Sequence, residues 1–162
     1  MKRISSIISI VVLMLLSSCT TQLQMKAQIS LTELNAKSGK ISVNATKSTF
    51  PESFECKAAS SWRWGAENKC PGSYISSMVV NIDNNPVFIP LSAFADLGNP
   101  REVRIETYTE KRFAIILIGG DAATSYTARL YFSNGLLIER MVSHGEFPDD
   151  AWEKTRYKFN YD

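Results

Sequence analysis

The chain has 162 residues, 44% of them hydrophobic and 21% charged. That is the length and composition of one globular domain, not of a disordered or fibrous chain. Its 18 basic and 16 acidic side chains nearly cancel, which excludes the strongly basic surface that non-specific nucleic-acid binding requires.

In chain order, Lys2 and Arg3 come first, followed by an unbroken apolar run from Ile10 to Leu16 that Ile4, Ile7 and Ile8 extend between serines. A positive end, a short apolar stretch and then small residues are the order of a secretory signal. The run is too short for a membrane-spanning helix, which needs about 20 apolar residues. It ends in Leu16-Ser17-Ser18-Cys19, a tetrapeptide that resembles the lipobox of bacterial lipoproteins. The resemblance is confined to this segment. It implies that the Cys19 thiol receives diacylglycerol, that residues 1–18 are removed, and that the new amine of Cys19 is acylated. Thr20, not Asp, follows the cysteine. By similarity to Gram-negative lipoproteins, that implies the outer membrane, with the protein facing the periplasm. Without its 18-residue signal the chain keeps 144 residues, and the loss of Lys2 and Arg3 leaves 16 basic against 16 acidic side chains.

Residues 19–28 are polar beyond the cysteine and lack periodicity, as suits a tether between lipid and domain. Residues 29–162 then form a single domain, long enough to bury about 70% of its unfolded surface. Structure is expected to begin around Ile29, Leu31 and Leu34. Ile41, Val43 and Ala45 alternate with Ser42, Asn44 and Thr46, the period of a half-buried strand.

The stretch from Phe50 to Tyr74 is irregular. Cys56 and Cys70 lie in it and are the two cysteines left after Cys19. An even pair in an exported chain reads as a disulfide, closing a loop of about 15 residues that the chain-entropy argument values at about 3 kcal/mol. Zinc is a poor alternative, because it takes about four ligands and only His144 could join the two thiols. Inside the loop lies Trp62-Arg63-Trp64. If this stretch is extended, both indoles share a face. They then either form a contact platform for a partner or close one end of the core, as large aromatics commonly do.

From Met78 the pattern sharpens. Met78 to Ile82 reads as a strand, Asp83 to Pro86 as a turn and Val87 to Ile89 as a second short strand. Pro90 opens a short helical segment, Leu91 to Leu97, stopped by Gly98 and Pro100. Arg101 to Thr109 alternates, with Val103 and Ile105 on one side and Glu102, Arg104 and Glu106 on the other. Phe113 to Ile118 is apolar on both faces and so reads as a central strand. Gly119-Gly120-Asp121 turns the chain.

Tyr126 to Phe132 and Leu136 to Val142 flank Ser133-Asn134-Gly135, a hairpin signal. A three-residue loop with Gly135 left-handed sets Arg129 opposite Glu139 and Leu130 opposite Ile138. A two-residue loop sets Arg129 opposite Arg140. Opposite charges across a sheet are favoured over like charges by about 0.2–1 kcal/mol, which selects the three-residue loop. After a loop from Gly145 to Asp150, Trp152 to Tyr161 reads as the last strand, with Thr155, Tyr157, Phe159 and Tyr161 on one face. Lys154, Arg156 and Lys158 share the other face, as edge strands do to resist pairing with other molecules. A basic stripe for an anionic partner is the alternative.

No stretch carries a catalytic signature. His144 is the sole histidine. Serines and Asp149 accompany it, but a triad is defined by geometry and no nucleophile-elbow sequence is present. Glu146, Asp149 and Asp150 lack the spacing of a calcium loop, and no metal or cofactor is expected. The expectation is therefore an all-β or β-rich antiparallel domain, a sandwich or small open barrel with one short helical segment. It is expected to act as a membrane-anchored binding or protective module, of inhibitor or immunity type, through Trp62, Arg63 and Trp64, on an envelope protein or an incoming one. An envelope structural or assembly factor and a periplasmic hydrolase are the alternatives.

Overall fold

A strand buries every second residue against an opposing layer, and that alternation organises the whole domain. The computed structural model describes residues 31–50 and 71–159. Cys19, Cys56, Cys70, Trp62, Arg63 and Trp64 all lie outside the described residues.

The described residues form two antiparallel sheets. The first contains β1 (Leu31–Ser38), β2 (Ile41–Thr49), β3 (Ser73–Ile82) and β4 (Asn85–Val87), paired in chain order. The second contains β5 (Pro100–Thr109), β6 (Arg112–Gly119), β7 (Tyr126–Ser133), β8 (Leu136–His144) and β9 (Ala151–Arg156), again in chain order. Each sheet is a meander of hairpins, and the two share one core. The architecture is the expected β-rich antiparallel fold and fits the sandwich form, with two separate sheets and no closed barrel among the described residues.

The core is the sum of the inward residues. Ile41, Val43 and Ala45 of β2 meet Ile75, Met78 and Val80 of β3. Val103 and Phe113, Ile115 and Leu117 come from β5 and β6; Tyr126, Ala128, Leu130 and Phe132 from β7; and Leu137 and Val142 from β8. The rings of Phe113 and Phe132 stack with centroids 4.6 Å apart. β6 is buried on both faces, as its unbroken apolar run required. It lies second in its sheet and the central place belongs to β7. Its outward residues Ala114 and Ile116 are buried as well. Their cross-strand partners are Tyr131 and Arg129, long side chains whose apolar parts can cover a sheet surface while the polar ends stay wet.

The ladders are interrupted at several points, and two of the bulges repair the inward alternation of a core strand where it slips. In β3, Ser76 is an extra residue between the pairs Thr46–Ser77 and Lys47–Ile75, so Ile75 and Met78 both point inward although they are three residues apart. In β8, Ile138 is extra between Tyr131–Glu139 and Phe132–Leu137. A bulge adds one residue to one strand and so switches which face its side chains take. Here it buries Leu137 completely and leaves Ile138 43% exposed.

That second bulge overturns the expected hairpin register. Arg129 faces Met141 and Leu130 faces Arg140, so Arg129 does not face Glu139. The loop has two residues, Asn134 and Gly135, both left-handed at φ 51° and 79°, the turn whose twist matches the flanking strands. Turn geometry set the hairpin, and core burial of Leu137 then displaced the register. A cross-strand ion pair of a few tenths of a kcal/mol has no weight against burying a leucine, worth about 1.5–3 kcal/mol.

Other boundaries moved. β4 starts at Asn85 because Asp83 and Asn84, both left-handed, make a two-residue turn. The helical segment is only a 3-10 turn, Leu91–Ala93, although Ala93, Phe94 and Leu97 all reach the core. A second 3-10 turn, Ala122–Thr124, follows Gly119-Gly120-Asp121. β9 is the edge strand anticipated, but it ends at Arg156 and does not continue through Phe159, while Tyr161 lies outside the described residues. The β9 cations are not a free stripe. Lys154 and Arg156 both pair with Glu139, at 3.1 and 3.5 Å.

Candidate functional site

The two ends of the sandwich differ. At one end, the connection from β4 to β5 runs under the core. Ala93, Phe94 and Leu97 are buried there, Gly98 bridges Tyr74 at the start of β3, and the Asn99 N–H donates to the Ser73 carbonyl at 2.8 Å. That end is closed. The other end gathers four hairpin turns, at Gly39-Lys40, Asp83-Asn84, Glu110-Lys111 and Asn134-Gly135. Turns in the same sheet are laced together. The Asp83 N–H donates to the Lys40 carbonyl at 3.0 Å, and the Asn134 N–H to the Lys111 carbonyl at 2.9 Å. Between the sheets, Ser38 and Thr107 share a hydroxyl contact of 3.4 Å. Beyond that contact the sheets part and a cleft of about 940 Å³ opens between them.

The cleft follows from local sequence. Turns with positive φ select glycine and asparagine, and glycine puts no side chain into the gap. A Cβ built on Gly39 meets nothing within 4 Å, and one on Gly135 meets only Ile82 Cδ1, at 3.9 Å. The floor is mostly apolar, with Ile41, Ile82, Val87 and Phe113, and Ser38, Asn85, Thr107 and Asn134 add uncharged polar groups to the lining. Charges stand only at the rim. Lys40 Nζ pairs with Asp83 at 3.2 Å, and Glu110 and Lys111 add one charge of each sign. An apolar floor of this volume with a few polar groups at its edge is what ligand sites generally present.

Sequence reasoning missed this site. It is built where strand ends meet turns, and each turn looks like punctuation until four of them are brought together. The favoured loop around Trp62, Arg63 and Trp64 lies outside the described residues. Phe50 and Pro71, which flank it, are at the closed end, where Phe50 stacks on Tyr74 with centroids 4.5 Å apart.

A second polar feature also escaped the sequence. Arg140 of β8 is only 3% exposed and reaches the β4–β5 connection. It donates from Nη1 to Asp96 Oδ1 and from Nη2 to Asp96 Oδ2, both at 2.7 Å, from Nη1 to the Ser92 carbonyl at 2.7 Å and from Nη2 to Glu153 Oε2 at 3.2 Å. Burial alone would lower the guanidinium. The Asp96 hydrogen bonds and the charges of Asp96 and Glu153 outweigh it and hold Arg140 above its ordinary value. A raised value stabilises the fold at every pH below the unfolded arginine range, so this clasp stays intact across physiological pH.

On the outer face of the second sheet, Tyr108 stacks on Tyr131 with centroids 6.4 Å apart and donates to Glu106 Oε2 at 3.0 Å. Partial burial, then that hydrogen bond and the Glu106 charge, push the Tyr108 phenol up to about 12. The folded state therefore holds this proton more tightly than the unfolded chain does. The resulting stabilisation is complete below the ordinary tyrosine range and is lost as pH rises through it towards 12. An ultraviolet difference titration of the protein against Tyr108→Phe should show this late phenol, and Glu106→Gln should bring it down. A Tyr108 that ionises near pH 10, the ordinary tyrosine value, would contradict the assignment.

Ser125, His144 and Glu146 line a depression of about 250 Å³ at the closed end. Among the described hydrogen bonds none joins the three, and the His144 ring lies edge-on to Trp152 with centroids 4.7 Å apart. A nucleophile needs a base within hydrogen-bond reach and a group that orients the base, and that relay is not assembled here. Among the described residues, no group of three or more His, Cys, Asp or Glu is placed to hold a metal ion. No protein-family model matches the chain, and comparisons with curated proteins and with solved structures find no match.

Proposed function

We propose that the protein is a lipid-anchored binding module of the bacterial cell envelope, held at the outer membrane through Cys19 and facing the periplasm, with no reaction of its own. The observation that carries the binding half is the apolar cleft at the turn end of a sandwich whose other end is closed. The lipobox-like Leu16-Ser17-Ser18-Cys19 carries the anchoring half. An inhibitor or immunity-type role is one form of the same reading, with the cleft or the Trp62-Arg63-Trp64 stretch as the contact.

The two halves separate in experiment. Cys19→Ser should move the protein out of the membrane fraction, and normal membrane retention of that variant defeats the anchor. Val87→Glu puts a charge on the cleft floor from a three-residue edge strand. Native protein captured from envelope extracts should bring down molecules that Val87→Glu, with an unchanged melting curve, does not. Identical capture by both defeats the cleft as the binding site.

A further inference from the structure

The shape and polarity of the cleft restrict what it can hold. We infer that its ligand is an amphiphile with an alkyl tail, the tail lying between the sheets and the head group at the rim. This rests on the binding-module reading above.

Three observations converge. First, the deepest lining is mostly hydrocarbon: Ile41 and Phe113 at the edge of the core, with Ile82 and Val87 beside them, while the neighbouring Ser38 and Thr107 hydroxyls are turned to each other. A polar group carried to that depth would leave water for few partners, which costs affinity. The inserted part is therefore apolar along its length. Second, packed sheets lie about 10 Å apart, a gap that one interdigitated layer of side chains fills. The cleft continues that gap past the last core residues, where Gly39 and Gly135 contribute no side chain. At about 940 Å³ it has room for an alkyl tail, and the Ser38–Thr107 contact bounds it on one side. Third, every charged group lies at the turns, and the rim carries two cations and two anions, Lys40 and Lys111 against Asp83 and Glu110. Such a rim can solvate a head group of either sign. It sets the polar end outside the cleft without selecting its charge, so discrimination falls on the tail.

Leu31, where the described chain begins, lies at the opposite end of β1 from Ser38 at the cleft. Eight residues of strand separate the two by about 25 Å.

The test uses the full chain, extracted from the envelope in digitonin, whose rigid steroid body is a poor substitute for an alkyl chain. The probe is undecanoic acid carrying a terminal dansyl fluorophore. Saturable binding with a blue-shifted emission is expected, displaced both by palmitate and by a single-chain lysophospholipid. Val87→Glu should weaken probe binding at least tenfold. Leu31→Glu, at the far end, should leave it unchanged. Competition by palmitate but not by the lysophospholipid identifies free fatty acid as the source, and the reverse identifies a membrane lipid; either supports the inference. Absence of saturable binding, or equal binding by Val87→Glu, overturns it. If the probe fails while Val87→Glu still loses material captured from the envelope, the alkyl ligand is wrong and the binding module stands. If both fail, both readings fall.

Discussion

Arg140→Ala is expected to destabilise the protein by about 3 kcal/mol, low in the range for removing one member of a buried ion pair. The reasoning starts from burial. Arg140 is 3% exposed, while Asp96 and Glu153 are 44% and 34% exposed. Removal of the guanidinium leaves two carboxylates close together without a cation, and the Ser92 carbonyl without its donor. The carboxylates can recover some hydration because they reach solvent, which holds the loss near the lower bound. Arg140→Lys keeps the charge but not the two-pronged hydrogen bond to Asp96, and a planar fork is what matches a carboxylate. It should fall between the wild type and the alanine variant. The clasp ties the β4–β5 connection to β8, so Arg140→Ala should also expose that connection to protease before global unfolding. Urea unfolding with limited proteolysis checks both points. A loss under about 1 kcal/mol, as for a surface pair, would show that the clasp contributes little.

Phe132→Ala should cost about 3–5 kcal/mol, the range for deleting a buried aromatic ring. Phe132 is 1% exposed and stacks face to face with Phe113, at an interplanar angle of 2°. Loss of the ring removes hydrophobic burial and the aromatic pair together, and the strand backbone on either side is too constrained to collapse into the space. Phe132→Leu keeps most of the volume and should cost about 1 kcal/mol. The comparison also bears on the cleft. Phe113 forms part of its floor, and the Phe132 stack holds that ring in place. Phe132→Ala should therefore weaken any ligand held there as well as lower the melting temperature, whereas Arg140→Ala, acting on the β4–β5 connection, should lower the melting temperature and leave the affinity alone.

Strand periodicity was legible wherever one face is buried. Ile41, Val43 and Ala45, and Val103 with Ile105, announce their faces by alternation, and the structure buries the sides expected. The β6 run is apolar throughout and proved buried on both faces. The failures share a cause. Sequence alternation assumes an unbroken ladder, and the bulges at Ser76 and Ile138 break it. Nothing local marks Ile138 as the residue to be pushed out, because Leu136, Leu137 and Ile138 are almost equally apolar. Only the position of Phe132 across the strand decides that Leu137 goes in.

The sequence by itself determined the fold class, most strand identities and the places of the turns near Asp83 and Asn134, and the Leu16-Ser17-Ser18-Cys19 resemblance adds an expectation of the envelope as the address. These properties are written in neighbours a few residues apart: period, turn chemistry, the order of charges and small residues. The tertiary structure alone decided the sheet order, the Arg140 clasp and the cleft. Arg140 and Asp96 are 44 residues apart, and the four turns around the cleft are spread from Gly39 to Gly135. No local signal couples such positions. They meet because two meanders must pack their apolar faces together, and the closed end, the open end and the buried Arg140 are consequences of how that packing closes.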